Sequence, residues 1–185
     1  ILRGSAGIAG ELGHTSIYYD GPRCECGSRG CLELYCSVLA LENNIRKRIR
    51  NREDATCLAE DFTTLELGSA IQKKDALALE EYVTVCEFLA VGIVNVVNEI
   101  NPSKVIIGDE LAALAPDVML EIVQNRVRRT VRPLIWEGLS IETDKLRHNS
   151  ILLGAGATAI RHIFEDPFYY INRDSFAVVP AMASK

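Results

Sequence analysis

The sequence predicts an α/β fold, and three consecutive stretches predict it. Asp75 to Glu99 carries Leu77, Leu79, Val83, Val85, Phe88, Leu89, Val91, Ile93, Val94, Val96 and Val97, which cover nearly the whole circumference of a helix toward its C-terminal half, and a helix apolar all round is buried. Asn101-Pro102 stops it, and Lys104-Val-Ile-Ile-Gly108 follows as a short apolar run of the parallel-strand kind. Pro116 to Arg129 then returns to helical spacing. Helix, strand and helix in succession is α/β wiring, and 185 residues suffice for about one domain with its own core.

From the start of the chain, Gly4, Gly7, Gly10 and Gly13 recur every third residue, so residues 1–13 read as irregular loop whose backbone can approach a ligand closely. His14 to Tyr19 has strand-like β-branched and aromatic content and is expected to form a strand with His14 at one end. Asp20-Gly21-Pro22 turns the chain. From Cys31 the spacing of Leu32, Tyr35, Cys36, Leu39, Leu41 and Ile45 predicts one helix, with Arg46, Lys47, Arg48 and Arg50 suited to its C-terminal end. Asn51 to Thr64 is a polar loop or short turn, and Leu65 to Lys74 a modest helix. Asp75 is the expected N-cap of the long helix. In Pro116 to Arg129 the expected apolar stripe is Val118, Ile122 and Val127. Leu139 to Thr143 alternates like a half-buried strand at or near an edge. Gly154 to Ile160 enters a last helix ending at Glu165-Asp166, because Pro167 disfavours the helical conformation before it. Phe168, Tyr169, Tyr170 and Phe176 follow without periodicity.

Between these elements His14, Cys24, Cys26 and Cys31 are spaced His-x9-Cys-x-Cys-x4-Cys, with Gly27 and Gly30 for tight turns. Four N/S donors on a loop too short to make a core are a ligand set for a structural zinc. A pair of disulfides or a chance cluster is the alternative, but Cys24 and Cys26 are too close to bridge comfortably and disulfides leave the histidine unexplained. Cys31 falls at a helix start, which favours a thiolate. A net charge of -5 argues against this segment gripping nucleic acid by itself. The longest apolar run, Phe88 to Val97, is interrupted by Gly92 and Asn95 and is too short to span a bilayer, and no secretory signal is visible at the start. Cys36, Cys57 and Cys86 lie scattered among apolar neighbours, which fits a reducing, cytoplasmic setting. The opening Ile1-Leu2-Arg3-Gly4 suggests a piece of a longer chain.

Gly10-Glu11-Leu12-Gly13-His14 together with Cys24-x-Cys26-Gly27-x-x-Gly30-Cys31-Leu32-Glu33 resembles the two adjoining signatures of the ROK family, sugar-dependent repressors and sugar kinases built on the ribonuclease-H-like, actin-like ATPase fold. The resemblance extends to Asn101 to Gly108 and to Gly154-Ala-Gly-Ala, and covers the chain to about Phe168. It implies a C-terminal lobe over residues 1–168, truncated at its N-terminus, with a zinc loop at 14–31 and a tail at 169–185. It also implies His14, Cys24, Cys26 and Cys31 as zinc ligands, and Glu11 and Glu33 as acceptors of sugar hydroxyls, with His14 able to face both metal and sugar. Two carboxylates held by a rigid loop lose little entropy on binding a small polar ligand. Without the resemblance, Glu11 reads as a capping or surface acid and Glu33 as a first-turn acid favoured by the helix dipole.

In the family's kinases the catalytic aspartate and first phosphate loop lie in an N-terminal lobe that this sequence does not contain, and the second glycine-rich phosphate segment is also missing. Asp109-Glu110 stands where a nucleotide-binding member continues with glycine, and two acids repel a triphosphate; alternatively Asp109 caps the next helix. With the aromatic tail, this leans toward the xylose and N-acetylglucosamine repressor branch. The expectation is a zinc-stabilised, sugar-sensing, non-enzymatic region that meets DNA only through an absent N-terminal winged helix, avoids membranes and forms a homodimer or higher homo-oligomer. The alternatives are the C-terminal lobe of a ROK sugar kinase that phosphorylates a hexose from ATP, or a zinc scaffold without ligand.

Overall fold

The elements are organised around α4 (Ala76–Ile100) in the computed structural model, which describes residues 2–51, 55–146 and 150–165. Asp75 caps α4 as its sequence predicts, its carboxylate accepting the Ala78 N–H at 3.0 Å, and Asn101 ends it in the left-handed conformation at φ 48°. Leu77, Tyr82, Val85, Cys86, Ile93 and Val97 are buried along it. At about 1.5 Å per residue its 25 residues are long and apolar enough to cross a bilayer by composition alone, but here the helix is the core of a bundle. It packs against α1 (Glu33–Cys36), α2 (Val38–Asn51), α3 (Thr64–Gln72) and α6 (Pro116–Thr130). The Tyr82 hydroxyl, fully buried, donates to the carbonyls of Leu111 and Ala115 at 2.9 and 3.3 Å, tying α4 to α5 (Asp109–Leu114). α3 opens on a capping box in which Thr63 and Glu66 satisfy each other's backbone N–H groups.

β1 (Lys104–Ile107) pairs in parallel with β2 (Ser140–Thr143), in register Lys104 to Ser140 through Ile107 to Thr143. The α/β wiring and the edge placement of β2 hold. β1 is less buried than expected: Ile107 is buried but Ile106 is exposed, because among the described residues the sheet has only two strands. Asp109 does not take the capping position of the following helix; Gly108 does, and α5 begins at Asp109.

Other expectations are corrected by packing. Residues 14–19 form no strand; only Ser16 makes an isolated antiparallel bridge, to Cys31. The single helix expected from Cys31 is two helices, broken at Ser37, whose extended backbone ends α1 while its Oγ accepts the Ala40 N–H at 3.1 Å. The buried stripe of α6 is Met119, Val123 and Val127, turned one residue from the expected Val118 and Ile122, which are partly buried. α5 and the short α7 (Pro133–Glu137) were not anticipated as separate helices. Residues 148–185 form a second unit. In it the described residues are those of α8 (Ser150–Glu165), which is already helical four residues before Gly154; the stop expected from Pro167 and the tail expected at 169–185 fall on residues outside the described ones.

Asp75 supports more than α4. It also accepts the Thr56 hydroxyl at 2.9 Å and the Cys57 N–H at 2.8 Å. Partial burial opposes ionisation, but the hydrogen bonds from Cys57, Ala78 and Thr56 outweigh it and hold the carboxyl below its ordinary value. Asp75→Ala is expected to lower stability by about 1–2 kcal/mol at pH 7 in urea unfolding. A depressed folded pKa means that the contribution is complete above the unfolded value of about 3.9 and is lost as pH falls through the folded one. The gap between variant and wild type therefore narrows below about pH 4.

Candidate functional site

The cysteine loop is folded by its own backbone and closed onto residues 12–18. Leu12–His14 makes a single 3-10 turn, and the chain returns so that Leu32 N–H reaches Thr15 O at 2.9 Å and Ile17 N–H reaches Gly30 O at 2.8 Å. Inside the loop, Cys24 N–H bonds Ser28 O and Gly30 N–H bonds Pro22 O. Gly30 has φ 61°, and a Cβ there would lie 1.8 Å from Tyr18 O. Because the clash is with backbone, Gly30→Ala is expected to open the loop and to give up any zinc loaded on it to a chromogenic chelator faster than wild type, while the far-UV circular dichroism of the helices persists.

That closure brings the predicted ligands together. One donor atom each from His14, Cys24, Cys26 and Cys31 lies within 4.8 Å of all the others. Cys26 Sγ and Cys31 Sγ are 3.6 Å apart, as are Cys24 Sγ and His14 Nδ1. A tetrahedral zinc with Zn–S bonds of about 2.3 Å spaces its sulfurs by about 3.8 Å, so the donor set has the composition and spacing to hold a metal ion. All six cysteines are free thiols in this structure.

The electrostatics of the cluster oppose ionisation of all three thiols together. The backbone N–H of Cys26 favours a Cys24 thiolate, but the Glu33 carboxylate, burial and the neighbouring thiols outweigh it and push Cys24 up to about 12. Burial raises Cys31 as well, with Cys26 adding to it; α1 is too short, at four residues, for its N-terminus to offset this. Cys26 is lowered, chiefly by the Ser28 backbone N–H. A divalent cation at the centre reverses this balance by stabilising each thiolate. Cys36 and Cys86 stand apart, pushed up to about 11 and about 12 by burial.

Both candidate acids converge on His14. Glu33 Oε1 is 3.1 Å from His14 Nδ1 and accepts from Cys24 Sγ at 3.0 Å; Glu11 Oε2 is 3.9 Å from His14 Nε2. Glu11 caps nothing with its side chain. Glu33 does occupy the first turn of α1. Glu33 also lines a cleft of about 500 Å³ with Arg23, Glu25, Ser37 and Asn43. Sequence reasoning missed those four, and Ser37 was hidden inside what read as an unbroken helix.

The ROK family profile matches residues 1–162. A xylose repressor of Caldicellulosiruptor bescii is 30% identical over 173 residues, covering 91% of this chain and 43% of the repressor. A glucokinase of Halalkalibacterium halodurans is 28% identical, covering 84% of this chain and 49% of the kinase. A solved ROK family transcriptional regulator, a homologue of the E. coli Mlc protein, superposes with a TM-score of 0.70 at 29% identity, over 77% of this chain and 36% of that one. The chain thus spans less than half the length of these relatives. Its two signatures, its helix and strand order and its similarity to both repressors and kinases agree: the chain belongs to the ROK family.

Proposed function

We propose that the chain is the sugar-sensing part of a ROK-type transcriptional repressor, with zinc held by His14, Cys24, Cys26 and Cys31 and sugar hydroxyls received by Glu11, His14 and Glu33. The observation that carries it is the approach of two carboxylates to the histidine of a metal-competent cluster. When bound, zinc would order the loop and thereby the two acids; the carboxylates would accept hydrogen bonds from vicinal hydroxyls. Residues 1–168 would act as one lobe of a cytoplasmic homo-oligomer, with 169–185 as a tail. Sugar would shift the population toward one lobe arrangement and so alter DNA binding by a domain elsewhere in the protein.

The second reading, a sugar kinase lobe, is favoured by the likeness to a glucokinase. There the same residues would orient the accepting hydroxyl for phosphoryl transfer. The complete protein separates the two. A repressor retards DNA from its own promoter region and releases it on addition of D-xylose, D-glucose or N-acetyl-D-glucosamine, without consuming ATP. Sugar-dependent conversion of ATP to ADP with no DNA retardation would establish the kinase reading instead.

A further inference from the structure

Leu32 stands between the last cysteine of the cluster and Glu33, and its side chain is almost completely buried. It is seated on α4. Gly92, buried in the middle of that helix, leaves a gap that Leu32 fills: a Cβ built on Gly92 would lie 2.3 Å from Leu32 Cδ2, 3.4 Å from Cγ and 3.5 Å from Cδ1. One turn earlier on the same face, Phe88 meets Tyr35 with ring centroids 5.0 Å apart and Tyr18 at 6.2 Å. Residues from both sides of the cysteine loop therefore rest on α4, at Phe88 and at Gly92. Glycine is a poor residue for a helix interior, and its bare backbone is what admits the leucine here.

We infer that Gly92 is a positioning residue for the site, the socket that seats Leu32 and thereby sets where Cys31 presents its sulfur and Glu33 its carboxylate. A methyl group at Gly92 meets the tip of the Leu32 side chain, and because that side chain is almost completely buried and has little room to swing aside, the displacement passes to its two neighbours in the chain. The consequence for sugar rests on the proposed role of Glu33, and the consequence for metal only on the proposed zinc site.

The test uses the complete zinc-loaded protein as wild type, Gly92→Ala, Leu32→Ala and the double variant. Two readouts serve: the rate of zinc transfer to a chromogenic chelator, and calorimetric titration with D-xylose, D-glucose and N-acetyl-D-glucosamine. Gly92→Ala is expected to release zinc faster and to bind sugar about tenfold more weakly, the size that overpacking reaches, although alanine is the better helix former. Leu32→Ala alone loosens the loop. Combining them is expected to recover zinc retention and sugar binding relative to Gly92→Ala, since Leu32→Ala removes all three atoms that meet the new methyl. Independent effects of the two substitutions, with no contact between the new methyl and Leu32, would instead add in the double variant. Wild-type behaviour of Gly92→Ala in both readouts overturns the inference, as does a double variant no better than Gly92→Ala or one that fails to fold. If wild type binds none of the three sugars while zinc release still follows the expected order, the seat stands and the role given to Glu33 falls.

Discussion

Cys31→Ser is expected to remove the metal and, with it, sugar binding, while leaving the helical core folded. Cys31 is completely buried, at the point where Ser16 bridges the two arms of the loop, and serine is a poor ligand for zinc beside three soft or borderline donors. The loop has few buried apolar groups of its own, so beyond its backbone hydrogen bonds a bound metal would supply much of its order, which loss of one ligand would take away. The core centred on α4, from Leu41 through Val97 to Val127, does not include the cluster cysteines. Metal analysis should therefore fall from about one zinc per chain to near zero, and sugar affinity by more than about a hundredfold, with far-UV circular dichroism largely retained. Zinc content unchanged in Cys31→Ser would remove Cys31 from the ligand set. A wild type carrying well under one zinc per chain with reduced cysteines would sink the metal site altogether.

Glu33→Gln is expected to do the opposite to the metal and the same to the sugar. The amide keeps the size of the side chain and its place on α1 but loses the charge that would, on the proposed role, accept hydrogen bonds from sugar hydroxyls. At about 1.5–3 kcal/mol for a hydrogen bond to a charged group, affinity should drop about a hundredfold or more, with zinc retained. The close approach of Glu33 to Cys24 and His14 makes the metal measurement decisive: zinc lost together with sugar would make Glu33 part of the metal site rather than a sugar acceptor. Unimpaired sugar binding would move the site elsewhere.

Several features were legible because their causes are local. The spacing of His14, Cys24, Cys26 and Cys31 announced a set of donors that the fold brings together, and Asp75 announced the start of α4. The strand expected at residues 14–19 failed because β propensity needs a partner along its length, and the returning loop pairs only at Ser16. The break at Ser37 was hidden because apolar spacing continued through it, whereas the hydroxyl's bond to Ala40 N–H favours a new start. The stripe of α6 was misread by one residue because valine and isoleucine at Val118 and Ile122 satisfy helical period as well as Met119 and Val123 do.

The chain's own order of residues is thus sufficient for the family signatures, the donor set and the central helix, since each depends on neighbours within a few turns of backbone. The approach of Glu33 to His14, and the seating of Leu32 against Gly92, depend instead on pairs far apart in the chain. Gly92 reads as a mere interruption of an apolar run until the loop is packed on it. A glycine's role lies in what occupies its missing side chain, and only the packed molecule supplies that.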